Sequence, residues 1–479
     1  MERYKQRYLH FIVMFALFVM IGLCPPIGEI THYGMKILAI FVAVLYGWIF
    51  IDLLWPSIFG FIALGVVGST AGLTIAGALG SGIGNIQLIN VLISLVFAGA
   101  LEESGVNDMI CTVLLKQKFF RKSPWLLIAG LCVIAYIMGI FVAGLAVVFL
   151  LWSVIKKIAV TCNIDKHDPL ISFLYIAIAI IVFSGGLVMP FHVGALVYGG
   201  FLTQATGQTL PYVPFILFCI TITALSSILL VLFGKFILRL DASKFILPNE
   251  VILELEQKKI TKGQKVASGV LVLFICMLLL PELIPSVPGM KFIGSLGLVG
   301  VGLICFLIMN FITIDQKPLI NLSVTFKNSV QWPVLLLLAV TFPLADAIKS
   351  TDSGIMITVN QMLTPIVSNM GPIQFMIVSM ILLGLLTQVT HNIVLGAMFI
   401  PFLCPLCEQI GGNSMTLWFM IFLILNMAYI TPAGSMQSAI IHGDENINSK
   451  YAYMMGTVNL LICFIVLAVV GIPLGELLF

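Results

Sequence analysis

Four stretches of this chain set polar or conformationally permissive residues inside otherwise apolar runs, and its chemistry must begin there. One is Thr387-Gln388-Val389-Thr390-His391-Asn392-Ile393, within the apolar segment 372–407. Two interrupt apolar helices, at Ser184-Gly185-Gly186-Leu187-Val188-Met189-Pro190-Phe191-His192-Val193-Gly194 and at Thr431-Pro432-Ala433-Gly434-Ser435-Met436-Gln437-Ser438. The fourth runs from Met138 to Gly144. Broken helices expose N–H and C=O groups that lipid cannot satisfy, so they are tolerated only around a cavity or an ion site. Half-helix N-termini there suit an anion, and opposing carbonyls suit Na⁺. The candidate anion ligands are Asn392, Thr390, His391 and Gln388 from one tip, Ser435, Gln437 and Ser438 from one unwound stretch, and Gly144, Ala143, His192 and Gly194 in the other half. The candidate cation ligands are Asn392, Thr387, Gly434 and Thr431, with Gly139, Ser184 and Gly186 in the other half. His391 and His192 are poised near neutral pH and offer a proton route as a variant.

Other chemistries find little support. The four breaks hold no carboxylate, so the paired acids or metal cluster of a membrane-embedded enzyme are missing, and no catalytic residue or cofactor is expected. A channel would favour a lined pore with repeated polar faces and no hairpins. Cys404 and Cys407 form a CxxC in an apolar helix with no His or second cysteine pair beside it, and most other cysteines sit in apolar runs, so buried thiols are expected. Asp52 and Glu102 fall at helix ends, where solvation rather than ion coordination is expected, and His442 with Gly443-Asp444-Glu445 marks a helix leaving the membrane.

The elements that position these residues follow from composition. Of 479 residues 61% are hydrophobic and 9% charged, where soluble domains run about 45–50% and about 25%. A soluble protein is excluded, and a net charge of +3 points to no nucleic-acid partner. Spans of about 20 apolar residues fall near 11–24, 35–52, 56–70, 86–102, 169–200, 212–234, 266–284, 291–314, 332–348, 415–441 and 451–475. The segments 124–155 and 372–408 remain, each too short for two crossings. If both are re-entrant hairpins, all Lys and Arg except Lys36, Lys291 and Lys349 fall on one side, as the positive-inside rule requires. The expected fold is therefore an all-α polytopic membrane protein of about eleven transmembrane helices and two re-entrant hairpins, in two inverted-topology repeats. Residues 1–34 form an N-terminal helix, 35–238 the first repeat with a cytoplasmic-side hairpin, 239–265 a cytoplasmic linker, and 266–479 the second repeat with an external-side hairpin. The N-terminus is expected in the cytoplasm and the C-terminus outside the plasma (inner) membrane. The basic start followed by Phe11 to Cys24 reads as a first membrane helix, since no small-x-small cleavage site follows.

Gly47-Trp48-Ile49-Phe50-Ile51-Asp52-Leu53-Leu54-Trp55-Pro56 resembles the Trp-x-x-Thr-Glu-x-x-Pro segment of the divalent anion/sodium symporters, the sodium-coupled sulfate and di- and tricarboxylate carriers. Trp332-Pro333-Val334-Leu335-Leu336-Leu337 with Ala347-Ile348 resembles the helix preceding that family's outer hairpin, and the likeness runs from about residue 35 to the C-terminus. In that family Ser-Asn-Thr motifs at the hairpin tips bind substrate carboxylate and Na⁺, and Thr-Pro-Pro-type motifs complete the sites. Here Asn392 holds the Asn position, His391 and Ile393 replace Ser and Thr, and Phe141-Val142-Ala143-Gly144 carries no side-chain oxygen. The resemblance implies elevator-type alternating access, a homodimer and Na⁺ coupling through one site or neither. The expectation is a secondary active transporter for a small di- or tricarboxylate-like or sulfate-like anion, with an H⁺-coupled carrier or an anion exchanger as the alternative.

Overall fold

A computed structural model describes residues 2–68, 74–116, 123–141, 144–166, 168–246, 259–314, 316–367 and 369–479. The expected linker lies partly outside the described residues, at 247–258, and so does Ala143. The described chain is nearly all helix; a two-residue β-ladder, Thr313–Ile314 against Lys317–Pro318, is the exception. Among the described residues ten helices are long and apolar enough to cross a membrane, and five shorter ones are also apolar.

The first half begins with α1 (Glu2–Leu23), α2 (His32–Phe50), α3 (Leu54–Gly68), α4 (Ile75–Ile83), α5 (Ile86–Glu103) and α6 (Val106–Leu115). The paired arms α7 (Pro124–Phe141) and α8 (Gly144–Thr161) follow, then α9 (Pro169–Gly185), α10 (Val193–Thr206) and α11 (Tyr212–Leu232), which ends in a π turn at Phe233–Ile237. The second half repeats this order without the N-terminal helix. It has α12 (Lys262–Leu283), α13 (Met290–Phe311), α14 (Leu322–Ser329), α15 (Trp332–Lys349) and α16 (Ile355–Val367). The arms α17 (Pro372–Leu386) and α18 (Asn392–Gln409) come next, then α19 (Ser414–Leu425), α20 (Met436–Gly443), α21 (Ser449–Val466) with its π turn Leu467–Gly471, and α22 (Ile472–Leu478).

The expected apolar runs fall on helices, with 169–200 and 415–441 each broken in two, and both unplaced segments hold two helical arms, those of the first being 18 residues each and long enough to cross. The first hairpin extends to Thr161, because the basic pair Lys156-Lys157 continues the second arm rather than ending it. The short helices α4, α6, α14 and α16 are additions that a search for 20-residue spans cannot find. Asp52 is a helix-end residue as expected: its carboxylate accepts from the N–H of Leu54 and Trp55, both at 2.9 Å, and so caps α3.

Lipid tails are as apolar as leucine, so helices here associate through close packing and buried hydrogen bonds rather than by escape from water. The contacts exchange between halves: α15 packs on α3 and α4, and α5 packs on α13 and α14. Each hairpin packs on the broken helix of its own half, α7 and α8 on α9, and α17 and α18 on α19. The strongest link between the hairpin units joins α10 to α18. At the α7–α9 contact a Cβ on Gly139 would sit 2.0 Å from the Val182 carbonyl oxygen, and one on Gly185 would sit 2.3 Å from that of Tyr136. The two backbones touch there, which only glycine permits.

Candidate functional site

The first hairpin turns over between Phe141 and Gly144, the second between Leu386 and Asn392. The broken helices unwind over 186–192 and 426–435, where α9 and α19 stop short of a full span. All four breaks open onto one cavity of about 450 Å³. Four helix starts reach it: Gly144 of α8, Val193 and Gly194 of α10, Asn392 and Ile393 of α18, and Met436 and Gln437 of α20. Several helix starts carry side-chain caps, Thr31, Asn85, Asp168, Thr261 and Asn413 among them, and Ser435 caps α20 at the cavity, whereas Pro211, Gly289 and Gln331 supply none. At α10 and α18 the capping positions are His192 and His391, and neither supplies a side-chain cap. At α10 the first-turn N–H groups are left to the cavity, with the positive end of the helix dipole behind them, whereas at α18 the Ile393 and Val394 N–H groups bond to Asn392 Oδ1 and the His391 carbonyl. No Asp, Glu, Lys or Arg appears among the described lining residues.

Several expected anion ligands converge there: Asn392, His391, Ser435, Gln437, Gly144, His192 and Gly194 all line the cavity, and so does Gly186. Asn392 accepts from the Ile393 N–H at 2.9 Å and its amide donates to Asn426 Oδ1 at 3.4 Å, so Asn426 holds it from the second unwound stretch. Ser435 Oγ donates to the Ala428 carbonyl at 2.8 Å while accepting from the Ser438 N–H at 3.1 Å.

Other expected residues sit behind this lining and brace it. Gln388 is buried, its amide donating to the carbonyls of Gly384 at 2.8 Å and Met427 at 3.1 Å while its oxygen accepts from the Ile430 N–H at 3.0 Å. Thr387, fully buried, donates to the Leu425 carbonyl at 2.8 Å. Thr431 donates to the Gln388 carbonyl, and Ser438 to the Thr431 carbonyl at 2.7 Å. These bonds stitch the second tip to the second unwound stretch. Thr390 is half-buried and outside the lining. Ser184 is buried and also outside it, and Gly139 is spent on the α7–α9 contact.

Oxygen atoms that could hold a cation gather at matching places in both halves. A Cβ on Gly434 would meet the carbonyl oxygens of Thr387 at 2.9 Å and Gln388 at 3.0 Å. One on Gly186 would meet those of Phe183 at 3.3 Å and Gly139 at 3.6 Å. In each case the unwound glycine packs closely on carbonyls of its own hairpin or broken helix. Among the described residues no group of His, Cys, Asp or Glu could hold a metal, and the nine described cysteines, Cys404 and Cys407 included, are free.

Polar lining residues that the sequence did not single out include Ser94, Tyr198, Gln331 and Asn426. Ser94 on α5 donates to the Phe191 carbonyl and so holds the first unwound stretch open. Tyr198 on α10 is 1% exposed, its hydroxyl without a hydrogen-bond partner, and its ring packs on Gly396 and, edge-on, on Phe422. His391 was expected, but its buried Nδ1, also unpartnered, was not foreseeable. Unpaired buried polar atoms are uncommon in native proteins, and two of them line this one cavity. Neither a lone tyrosine in an apolar run nor a serine in α5 carries a sequence signal that would single it out.

Comparison with known proteins places the chain in a family. The sequence profile of the sodium:sulfate symporter transmembrane region matches residues 5–479. The chain is 26% identical over 137 residues to the sodium-dependent high-affinity dicarboxylate transporter 3 of Caenorhabditis elegans, covering 28% of this chain and 24% of that protein. It is 27% identical over 194 residues to human solute carrier family 13 member 1, covering 36% and 32% respectively. The sodium-dependent dicarboxylate transporter SdcS of Staphylococcus saprophyticus is 27% identical over 144 residues, covering 30% and 27%. These matches span about a quarter to a third of each relative's length. Among solved structures, the Alcanivorax borkumensis YdaH transporter superposes with a TM-score of 0.57 at 14% identity, covering 93% of this chain and 98% of that one. That likeness concerns the fold.

Proposed function

Because the chain belongs to the sodium:sulfate symporter transmembrane family, and is thus a membrane transporter rather than an enzyme, we propose that it carries a small anion by elevator-type alternating access coupled to Na⁺. The observation that carries this reading is the convergence of four helix starts from both hairpins and both broken helices on one cavity with no charged side chain among its described lining residues. Such a site attracts an anion through backbone N–H groups and helix dipoles, and a co-bound cation balances its charge. The carbonyls around Gly434 and Gly186 are the proposed cation sites. The repeated order of elements supports two repeats of opposite topology, with 35–238 and 266–479 as the units and 239–265 as the linker. The hairpins with α9, α10, α19 and α20 would then move as one body against the helices that exchange contacts around α5 and α15. A homodimer in the plasma (inner) membrane, N-terminus cytoplasmic and C-terminus external, completes the proposal.

The test is thermal unfolding of the purified protein with sulfate or succinate, each in Na⁺ and in K⁺, since a bound ligand raises apparent stability by mass action. A shift that requires both anion and Na⁺ is expected; no shift with any anion would overturn the reading. A second reading, proton coupling or anion exchange, draws on the unpartnered Nδ1 of His391 at the cavity wall. It is favoured if the shift follows pH between about 5.5 and 7.5, across the ordinary histidine range, and ignores Na⁺.

A further inference from the structure

The cavity has its mouth at one end and is shut at the other. On the helices around α5 and α15, the exposed residues Ala98 and Gln331 line it and mark the mouth. Gln87 and Phe342 each stand eleven residues from the mouth residue of their own helix, about 16 Å along it, and there α10 closes on both. A Cβ on Gly200 would lie 3.3 Å from Gln87 Cβ and 3.4 Å from Phe342 Cζ. One turn later the Gln204 amide donates to the Phe342 carbonyl at 2.6 Å and to Asp346 Oδ1 at 3.1 Å, and the Gln204 carbonyl accepts from Lys349 Nζ. Just beyond, the Tyr212 and Val213 N–H groups at the start of α11 donate to the Glu282 carboxylate at the end of α12, at 2.9 and 3.1 Å. Each charge suits the helix end it meets, an ammonium at the carbonyl end of α10 and a carboxylate at the N–H end of α11.

We infer that residues 204–213 form a latch between the moving body and the fixed helices. α11 packs on α9, and α12 packs on α13, which in turn packs on α5, so Asp346, Lys349 and Glu282 reach across from the fixed side. While these bonds hold, the site is shut at the latch and open at the mouth, and they must release before it opens at the other end. In the proposed orientation the latch faces outside and the mouth faces the cytoplasm. This latch presupposes the alternating access proposed above, and it is the contact that sets which state is populated. Gln204 Oε1 is buried without a partner, a cost that water relieves on release, so the latch holds without being permanent.

The experiment is maleimide labelling of the full-length purified protein carrying Gln87→Cys or Gln331→Cys, read by mass spectrometry on the peptide that holds the substituted position. In detergent both faces are reachable, so the labelling rates follow the populations of the two states. Adding Gln204→Leu or Lys349→Met should speed labelling at position 87 by about fivefold, the effect of one lost bond of ordinary strength. Lys349→Met with Glu282→Leu breaks separate bonds and should shift the equilibrium on the order of twentyfold, so labelling at position 331 should fall as that at 87 rises. Unchanged labelling at 87 in folded single variants, or a rise at 87 in the double variant with no fall at 331, would overturn the latch and make the contact local packing. Uptake of labelled sulfate and succinate by the parent in proteoliposomes tests the reading beneath it. No uptake of either would remove the carrier reading, whereas uptake with labelling that ignores these variants would remove only the latch.

Discussion

The two hairpins are built on the same plan and end differently. The first turns between Phe141 and Gly144, packs its backbone directly on α9 through Gly139 and Gly185, and meets the Phe183 ring at the start of its second arm. The second takes five residues to turn, and Thr387, Gln388, Thr431 and Ser438 tie it to its unwound partner through side-chain hydrogen bonds. One tip is held by shape and the other by polar bonding. The difference teaches that two hairpins of like plan can be held in place by different means. Backbone supplies helix dipoles and carbonyls in either hairpin, whatever the sequence, whereas amides and hydroxyls must be encoded.

The comparison can be broken at either tip. The largest effect is expected at the first: Gly139→Ala places a Cβ 2.0 Å from the Val182 carbonyl, and overpacking of backbone on backbone should cost about 3 kcal/mol. Thermal unfolding in detergent reads this, and a midpoint equal to the parent's would contradict the close α7–α9 contact. Next comes Asn392→Ala, which should cut uptake into proteoliposomes on the order of a hundredfold while the protein stays folded. Parent-level uptake in that variant would move the recognition site away from the second tip. A smaller loss is expected for Thr387→Val, which deletes the bond to the Leu425 carbonyl at a cost of about 1–2 kcal/mol. If the carbonyls around Gly434 hold Na⁺, the half-saturating Na⁺ concentration for uptake should rise about tenfold. An unchanged Na⁺ dependence would place the cation elsewhere.

The smallest effect sharpens rather than breaks the contrast. Tyr198→Phe removes a buried hydroxyl that has no partner, so the ligand-free protein should gain roughly 1 kcal/mol. If the hydroxyl donates to bound anion, the variant should also bind its substrate a few-fold more weakly. A gain in stability with no change in binding would make Tyr198 a packing residue that only happens to line the cavity.

Much of this protein was legible before any coordinates. The apolar runs and the Gly, Pro and polar interruptions at 184–194 and 431–438 fix a membrane-embedded helical fold and point to its broken helices, because lipid forbids unsatisfied backbone outside such places. Asn392, His391, Ser435 and Gln437 could be named because polar side chains inside apolar runs are few. Which of the neighbouring polar residues face the cavity was settled by tertiary structure alone. Gln437 and Ser438 are adjacent in sequence, yet successive side chains on a helix point about 100° apart, so the first lines the cavity and the second bonds back to Thr431. Gln388 and Thr387 end α17, where free carbonyls and a neighbouring unwound strand of chain claim their hydrogen bonds. The phenyl ring against Gly144 comes from Phe183, 39 positions along the chain. Local pattern records what a residue can bond with; only the packing of distant segments decides what it meets.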